Sequence, residues 1–106
     1  YNKIRKQKQF NQLKKQGKTI AGRFYLVVYK PSFRKQFAGI VSKKVGNAVK
    51  RNYEKRIIRI LINSLLSEIP EIEAFIIRLA KREGTFAEKQ HDFSQIFKRL
   101  KHKLML

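Results

Sequence analysis

The sequence predicts one α+β domain in which helices and strands alternate. Three observations predict it. A β-branched and aromatic run, RFYLVVYK, is bounded by Gly22 and Pro31. Two long stretches, near residues 47–66 and 86–104, carry apolar residues at helical spacing. A further strand-like run, EAFIIRLA, lies between those two helices. With 106 residues the chain suits a single domain spanning 1–106, able to bury one modest core without disulfide staples.

Residues 3–16 place Ile4, Phe10 and Leu13 at roughly helical spacing, which predicts a short helix stopped by Gly17. KTIAG then adds a short edge strand. In RFYLVVYK, residues 23–30, Phe24, Leu26 and Val28 alternate with Tyr25, Val27 and Tyr29, so both faces are apolar. PSFRK reads as a turn, and QFAGIVS, residues 36–42, as a second strand paired with the first in a hairpin. The long helix over 47–66 has Asn47 as its N-cap, follows Gly46, and is stopped by Pro70. EAFIIRLA, residues 73–80, is a third strand, and REGTF a loop in which Thr85 caps the last helix. That helix, 86–104, has Phe86, Phe93, Ile96, Phe97 and Leu100 on its apolar side. The order is α-(β)ββ-α-β-α, with a strand–helix–strand crossover at its middle.

Charge sets the partner class. Twenty-six Lys and Arg against seven Asp and Glu give a net charge of +19 and a pI near 10.7. No acid precedes Glu54, so the first half carries 15 basic residues and no carboxylate. Such self-repulsion opposes compaction, and a polyanion relieves it. Nucleic acid is the leading partner and an anionic membrane surface the second. There is no cysteine, which excludes a thiol nucleophile, a disulfide framework and the common structural zinc sites, and fits a reducing compartment such as the cytoplasm. No apolar run approaches the roughly 20 residues that cross a bilayer, and no secretory apolar region precedes the first helix.

The segment SKKVGNAVKRNYEKRIIRIL, residues 42–61, combines seven cations and one acid with an apolar helical repeat. At about 100° per residue, Val49, Tyr53, Ile57, Ile58, Ile60, Leu61 and Leu65 form one arc, expected to pack on the sheet. The opposite arc holds Arg51, Asn52, Lys55, Arg56, Arg59 and Asn63, interrupted by Ile62 and Leu66. Lys50 and Glu54 fall inside the apolar arc, close enough to the helix start for their side chains to reach water. Solvated helix faces normally mix charge signs, whereas the pairs Arg51–Lys55 and Lys55–Arg59 are like-charged one turn apart. That pattern points to an anion-binding face, with Lys43 and Lys44 extending it toward the positive end of the helix.

The same segment resembles the signature of the bacterial ribonuclease P protein family, a Lys-Lys-x-Gly-x-Ala-Val turn followed by Arg-Asn-x-x-x-Arg-x-x-Arg on a helix. Lys43, Lys44, Gly46, Ala48, Val49, Arg51, Asn52, Lys55, Arg56 and Arg59 fit it in register. Many members carry a cation where this chain has Tyr53, and the wheel puts Tyr53 on the buried side, so the departure is expected to matter little. The resemblance covers nearly the whole chain. It implies an α-β-β-β-α-β-α sandwich with a left-handed β-α-β crossover, like the second domain of ribosomal protein S5.

The resemblance also implies a function, that of the protein subunit of an endoribonuclease holoenzyme that removes the 5′ leader from precursor tRNA. The partner RNA performs catalysis and requires Mg2+, and the chain is expected to supply no catalytic residue, with no cofactor assigned to the protein itself. Lys43, Lys44, Arg51, Asn52, Lys55, Arg56 and Arg59 are then expected to bind that RNA. A cleft between the signature helix and the sheet accepts the single-stranded leader. Phe10 matches the family's cleft aromatic on the first helix. Val28 stands where relatives often have Tyr, which leaves Tyr25 or Tyr29 as the substitute aromatic. A cytoplasmic monomer in a 1:1 complex with the RNA follows, with no membrane and no protein partner required.

Rival readings are weaker. A free-standing ribonuclease needs its own acid–base pair or metal ligands, but His91 and His102 stand about 17 Å apart along one helix. Glu88, His91 and Asp92 share a helix face and read as a solvated polar patch rather than a metal site. A ribosomal protein suits the size and charge, and only the signature segment argues against it. Membrane insertion lacks the broad exposed apolar face it uses.

Overall fold

Both faces of the strand IEAFIIR are apolar, and that strand takes an interior place in the sheet. The computed structural model describes residues 2–4 and 7–105, apart from the side chains of Asn2 and Phe10. Along the chain lie β1 (Asn2–Lys3), α1 (Gln7–Gln16), β2 (Lys18–Ala21), β3 (Tyr25–Pro31), β4 (Gln36–Ile40), a 3-10 turn (Lys43–Val45), α2 (Ala48–Leu65), β5 (Ile72–Arg78) and α3 (Phe86–Met105). The mixed sheet has the order β1-β4-β5-β3-β2. The first helix spans Gln7–Gln16, a later start than its apolar spacing predicts, and Asn2 and Lys3 form β1 and pair with β4 instead. Ile4, expected on that helix, follows β1 and is buried with Leu13 and Phe75.

The hairpin expected between residues 23–30 and 36–42 does not form. β5 lies between those strands, antiparallel to β3 from Tyr25↔Arg78 to Pro31↔Ile72 and parallel to β4 from Gln36↔Glu73 to Ile40↔Ile77. A strand apolar on both faces gains most from two ladder partners and two covered faces. The 18-residue α2 is also long enough to return the chain for parallel pairing with β4. The hairpin that does form joins β3 to the edge strand β2, from Lys18↔Tyr29 to Ala21↔Leu26.

The two faces of the sheet are covered unequally. Tyr25, Val27, Tyr29, Phe37, Ile72, Ala74 and Ile76 point into the main core, where α2 supplies Ile57, Ile58, Leu61 and Ile62 and α3 supplies Phe93, Ile96, Phe97 and Leu100. Tyr25 meets Phe93 edge-on at 5.8 Å between ring centroids. Phe86, expected on the apolar side of α3, is instead exposed at its first turn. Thr85 caps that helix as expected, and Glu88 completes a capping box: Glu88 N donates to Thr85 Oγ1 at 3.1 Å, and Thr85 N to Glu88 Oε1 at 2.8 Å. On the other face α1 covers Phe75 through Leu13, and Val28, Ala38, Ile40 and Ile77 stay half-buried.

α2 is rotated from the orientation its hydrophobic arc predicts. Its buried residues are Glu54, Ile57, Ile58, Leu61 and Ile62, while Val49, Tyr53 and Ile60 are exposed. The rotation follows from Glu54, whose side chain is only 2% exposed rather than in water. Glu54 accepts from Arg78 Nε of β5 at 3.1 Å and from Lys89 Nζ of α3 at 2.9 Å. Arg78 also donates to the carbonyls of Leu79 at 2.7 Å and Arg82 at 2.6 Å, fixing the turn after β5. Burial alone would push the Glu54 carboxyl up, but the hydrogen bonds and charges of Lys89 and Arg78 outweigh it and hold it below the usual carboxylate range.

Removing one member of a buried ionic network costs roughly 3–5 kcal/mol, because the rest stay desolvated. Glu54→Ala is expected to lose about that much in urea unfolding. A depressed carboxyl contributes stability that is fully present above its unfolded pKa of about 4.3 and is lost as pH falls toward the lower folded value. Glu54→Gln lacks this contribution, so the stability gap between it and the parent protein should be constant near neutral pH and narrow below about pH 4. A gap independent of pH would show that Glu54 is not ionised in the fold.

Candidate nucleic-acid interface

The turn KKVGNAV places cations around the start of α2. Lys43 and Lys44 are exposed on the 3-10 turn, whose third residue, Val45, is anchored in the core. Gly46 lets the turn close against the helix, since a Cβ there would lie 2.7 Å from Lys50 Cδ. Asn47 is the N-cap, its side chain accepting from Lys50 N at 2.9 Å. Arg51 is half-buried and donates to the Gly46 carbonyl at 3.0 Å, so part of its guanidinium braces the turn. Asn52, Lys55, Arg56 and Arg59 are exposed along the helix.

Five of the seven carboxylates have partners other than these cations. Glu54 holds Arg78 and Lys89; Glu83 pairs with Lys50 at 3.0 Å; Glu88 pairs with Arg23 at 3.0 Å; Glu73 lies 3.8 Å from Lys30. Asp92 accepts from the backbone amides of Arg23 at 2.8 Å and Phe24 at 2.9 Å. Lys50 holds the Glu83 carboxyl below its ordinary value, and the Thr85 amide and hydroxyl, with Arg23, do the same for Glu88. Among the described residues, Lys43, Lys44, Arg51, Lys55, Arg56 and Arg59 enter no ion pair. One face of α2 thus keeps an uncompensated positive field, which concentrates phosphate groups.

Beside this face runs a cleft of about 320 Å³ between α2 and the β1–β4 edge. Lys55 and Arg59 contribute from the charged side of the helix, Ile58 and Ile62 from its buried side, and Lys3, Ile4, Phe37, Ala38 and Gly39 from the edge. Of the aromatics assigned to a leader cleft, Tyr25 is 0% exposed and Tyr29 2%; both point into the α2–α3 core, away from α1. Strand parity decides this: odd-numbered residues of β3 face the core. Burial and the charge of Glu54 push the Tyr25 hydroxyl well above the ordinary phenol range. Val28 has the other parity and lies half-buried on the α1 face. Phe10 is on α1, with its side chain outside the described residues.

Sequence reading missed the contributions of Lys3, Ile4 and Gly39 to the cleft, since no local pattern announces that β1 pairs with β4. It also missed the Glu54 network, although one signal was present: a lone acid in a basic helix opposite Arg78 in an apolar strand. Glu88 and Asp92 are committed to Arg23, Thr85 and backbone amides. Among the described residues no three His, Asp or Glu side chains converge.

Replacing an N-cap by Ala costs about 1 kcal/mol. Asn47→Ala is expected to lower stability by that amount and to speed hydrogen exchange at the Lys50 amide. Unchanged exchange there would remove Asn47 as the cap.

Residues 1–101 match the family model described as Ribonuclease P. The Bacillus cereus (strain AH187) Ribonuclease P protein component is 36% identical over 105 aligned residues, covering 92% of this chain and 90% of the relative. The same component of Bacillus anthracis (strain CDC 684 / NRRL 3495) is also 36% identical, covering 92% and 87%. A Staphylococcus aureus RNase P protein structure superposes with a TM-score of 0.86 at 28% identity, covering 95% of this chain and 96% of that one. The RNase P protein from Thermotoga maritima shares the fold, with a TM-score of 0.83 at 20% identity and coverage of 93% and 97%.

Proposed function

This chain belongs to the ribonuclease P protein family, and we propose on that footing that its α2 face binds the catalytic RNA while the neighbouring cleft takes the 5′ leader of precursor tRNA. As a ribonuclease P protein component it serves tRNA processing within an endoribonuclease holoenzyme. The observation that carries the finer reading is the row of Lys55, Arg56 and Arg59 on a rigid helix, outside any ion pair among the described residues, with Lys55 and Arg59 beside a cleft.

In this reading Lys43, Lys44, Arg51, Asn52, Lys55, Arg56 and Arg59 contact phosphates of the partner RNA. Each cation that replaces condensed counterions strengthens binding at low salt and lowers the Mg2+ concentration at which the RNA is active. The leader lies along the cleft and the half-open sheet face of Val28, Ala38, Ile40 and Ile77, with Phe10 as its stacking partner. Electrostatic and stacking contacts accept any base sequence, which suits a leader that differs between tRNAs. The chain supplies positioning and charge; bond cleavage and the Mg2+ belong to the RNA. The complex is 1:1 and cytoplasmic.

Adding the protein to a bacterial ribonuclease P RNA at low Mg2+ is expected to restore 5′-leader cleavage; no stimulation would overturn the assignment. Arg56→Ala should weaken binding to that RNA and reduce the log–log salt slope by about one unit. Unchanged affinity and slope would take Arg56 off the RNA face. Phe10→Ala should narrow the preference for precursor over mature tRNA while leaving RNA assembly intact. An undiminished preference would exclude Phe10 from the leader path.

A further inference from the structure

α2 exposes an apolar strip alongside its cations. Val49 is 78% exposed, Tyr53 53% and Ile60 47%. At about 100° per residue these three fall within a narrow band, with Asn52 and Arg56 along one side. Lys50, on the other side, is occupied by Glu83. The core makes no use of the strip, because α2 packs through Glu54, Ile57, Ile58, Leu61 and Ile62.

An occupant of this surface has to offer both flat apolar area and negative charge. A second copy of the chain carries the same +19 charge and is repelled. A bilayer needs a broader apolar face than a strip one side chain wide. A nucleotide whose base is unpaired offers a π-face and a phosphate a few ångströms apart, matching an aromatic ring beside a guanidinium. We propose that Tyr53 stacks on an unpaired base of the partner RNA while Arg56 and Asn52 hold the adjoining backbone. The inference rests on the reading that α2 faces RNA and deepens it.

The test is binding of a bacterial ribonuclease P RNA across a salt series, alongside thermal melts of each variant. Tyr53→Ala should weaken binding about 5- to 150-fold, the range a stacked base–aromatic pair carries. Its salt slope should be unchanged, because no phosphate contact is lost, and so should its melting temperature. Tyr53→Phe should bind like the parent. The chain contains no tryptophan, so Tyr53→Trp introduces a single indole whose fluorescence should be quenched by stacking when RNA is added. Full affinity in Tyr53→Ala together with weakened binding in Arg56→Ala overturns the stacking and leaves the RNA face standing. Full affinity in both variants removes the RNA face and the stacking together. Equal losses in the Phe and Ala variants, a reduced slope in Tyr53→Ala, or an unquenched indole would each also overturn it.

Discussion

The buried carboxylate of Glu54 is the constraint on which the arrangement of α2 depends. Apolar packing alone leaves a helix with several acceptable rotations, and the broad apolar arc of α2, with Ile62 and Leu66 beyond it, allows more than one. Two cations converging from β5 and α3 favour the rotation that brings Glu54 inward. The unit joins α2, β5 and α3 and, through the Arg82 carbonyl, the turn that follows β5. Buried ion pairs rarely stabilise more than a well-packed apolar substitute, but they penalise every arrangement that separates them. Their contribution here is specificity of orientation.

Orientation matters because charge is distributed by it. With Glu54 inward, the outward arc of α2 contains no acid, and the other engaged carboxylates lie on the sheet, the turn after β5 and α3. The same rotation brings Lys55 and Arg59 to the cleft at the β1–β4 edge and leaves Val49, Tyr53 and Ile60 outside. One buried acid therefore sets where the positive surface lies, what it borders and which apolar side chains share it.

Local structure was largely legible in the sequence. The strand cores, the N-caps Asn47 and Thr85, the crossover and the cation spacing all follow from periodicity and capping chemistry, which act over a few residues. Pairing was not legible: the period of two in β3 and β4 says nothing about which strand lies between them. The facing of α2 was misread because a wheel ranks residues by hydropathy and places an acid in water, whereas Arg78 and Lys89, 24 and 35 residues away, make burial favourable. Assigning Tyr25 to a cleft failed for a similar reason, since alternation separates two faces without saying which helix covers each. The cations of the signature share one stretch of α2 because those residues are contiguous. The cleft draws on β1, β4 and α2, so it emerged only with the fold.

The interior position of β5 bears on how the chain comes off the ribosome. β5 is last of the strands in sequence, yet β3 and β4 both pair with it. Until residue 78 has emerged, each of those strands has an edge without its final partner. The nascent segment before Glu54 has no carboxylate with which to neutralise itself, and the α2 rotation waits for Lys89 as well. Until the final strand and helix have both emerged, neither the ladders that flank β5 nor the buried Glu54 network can be completed.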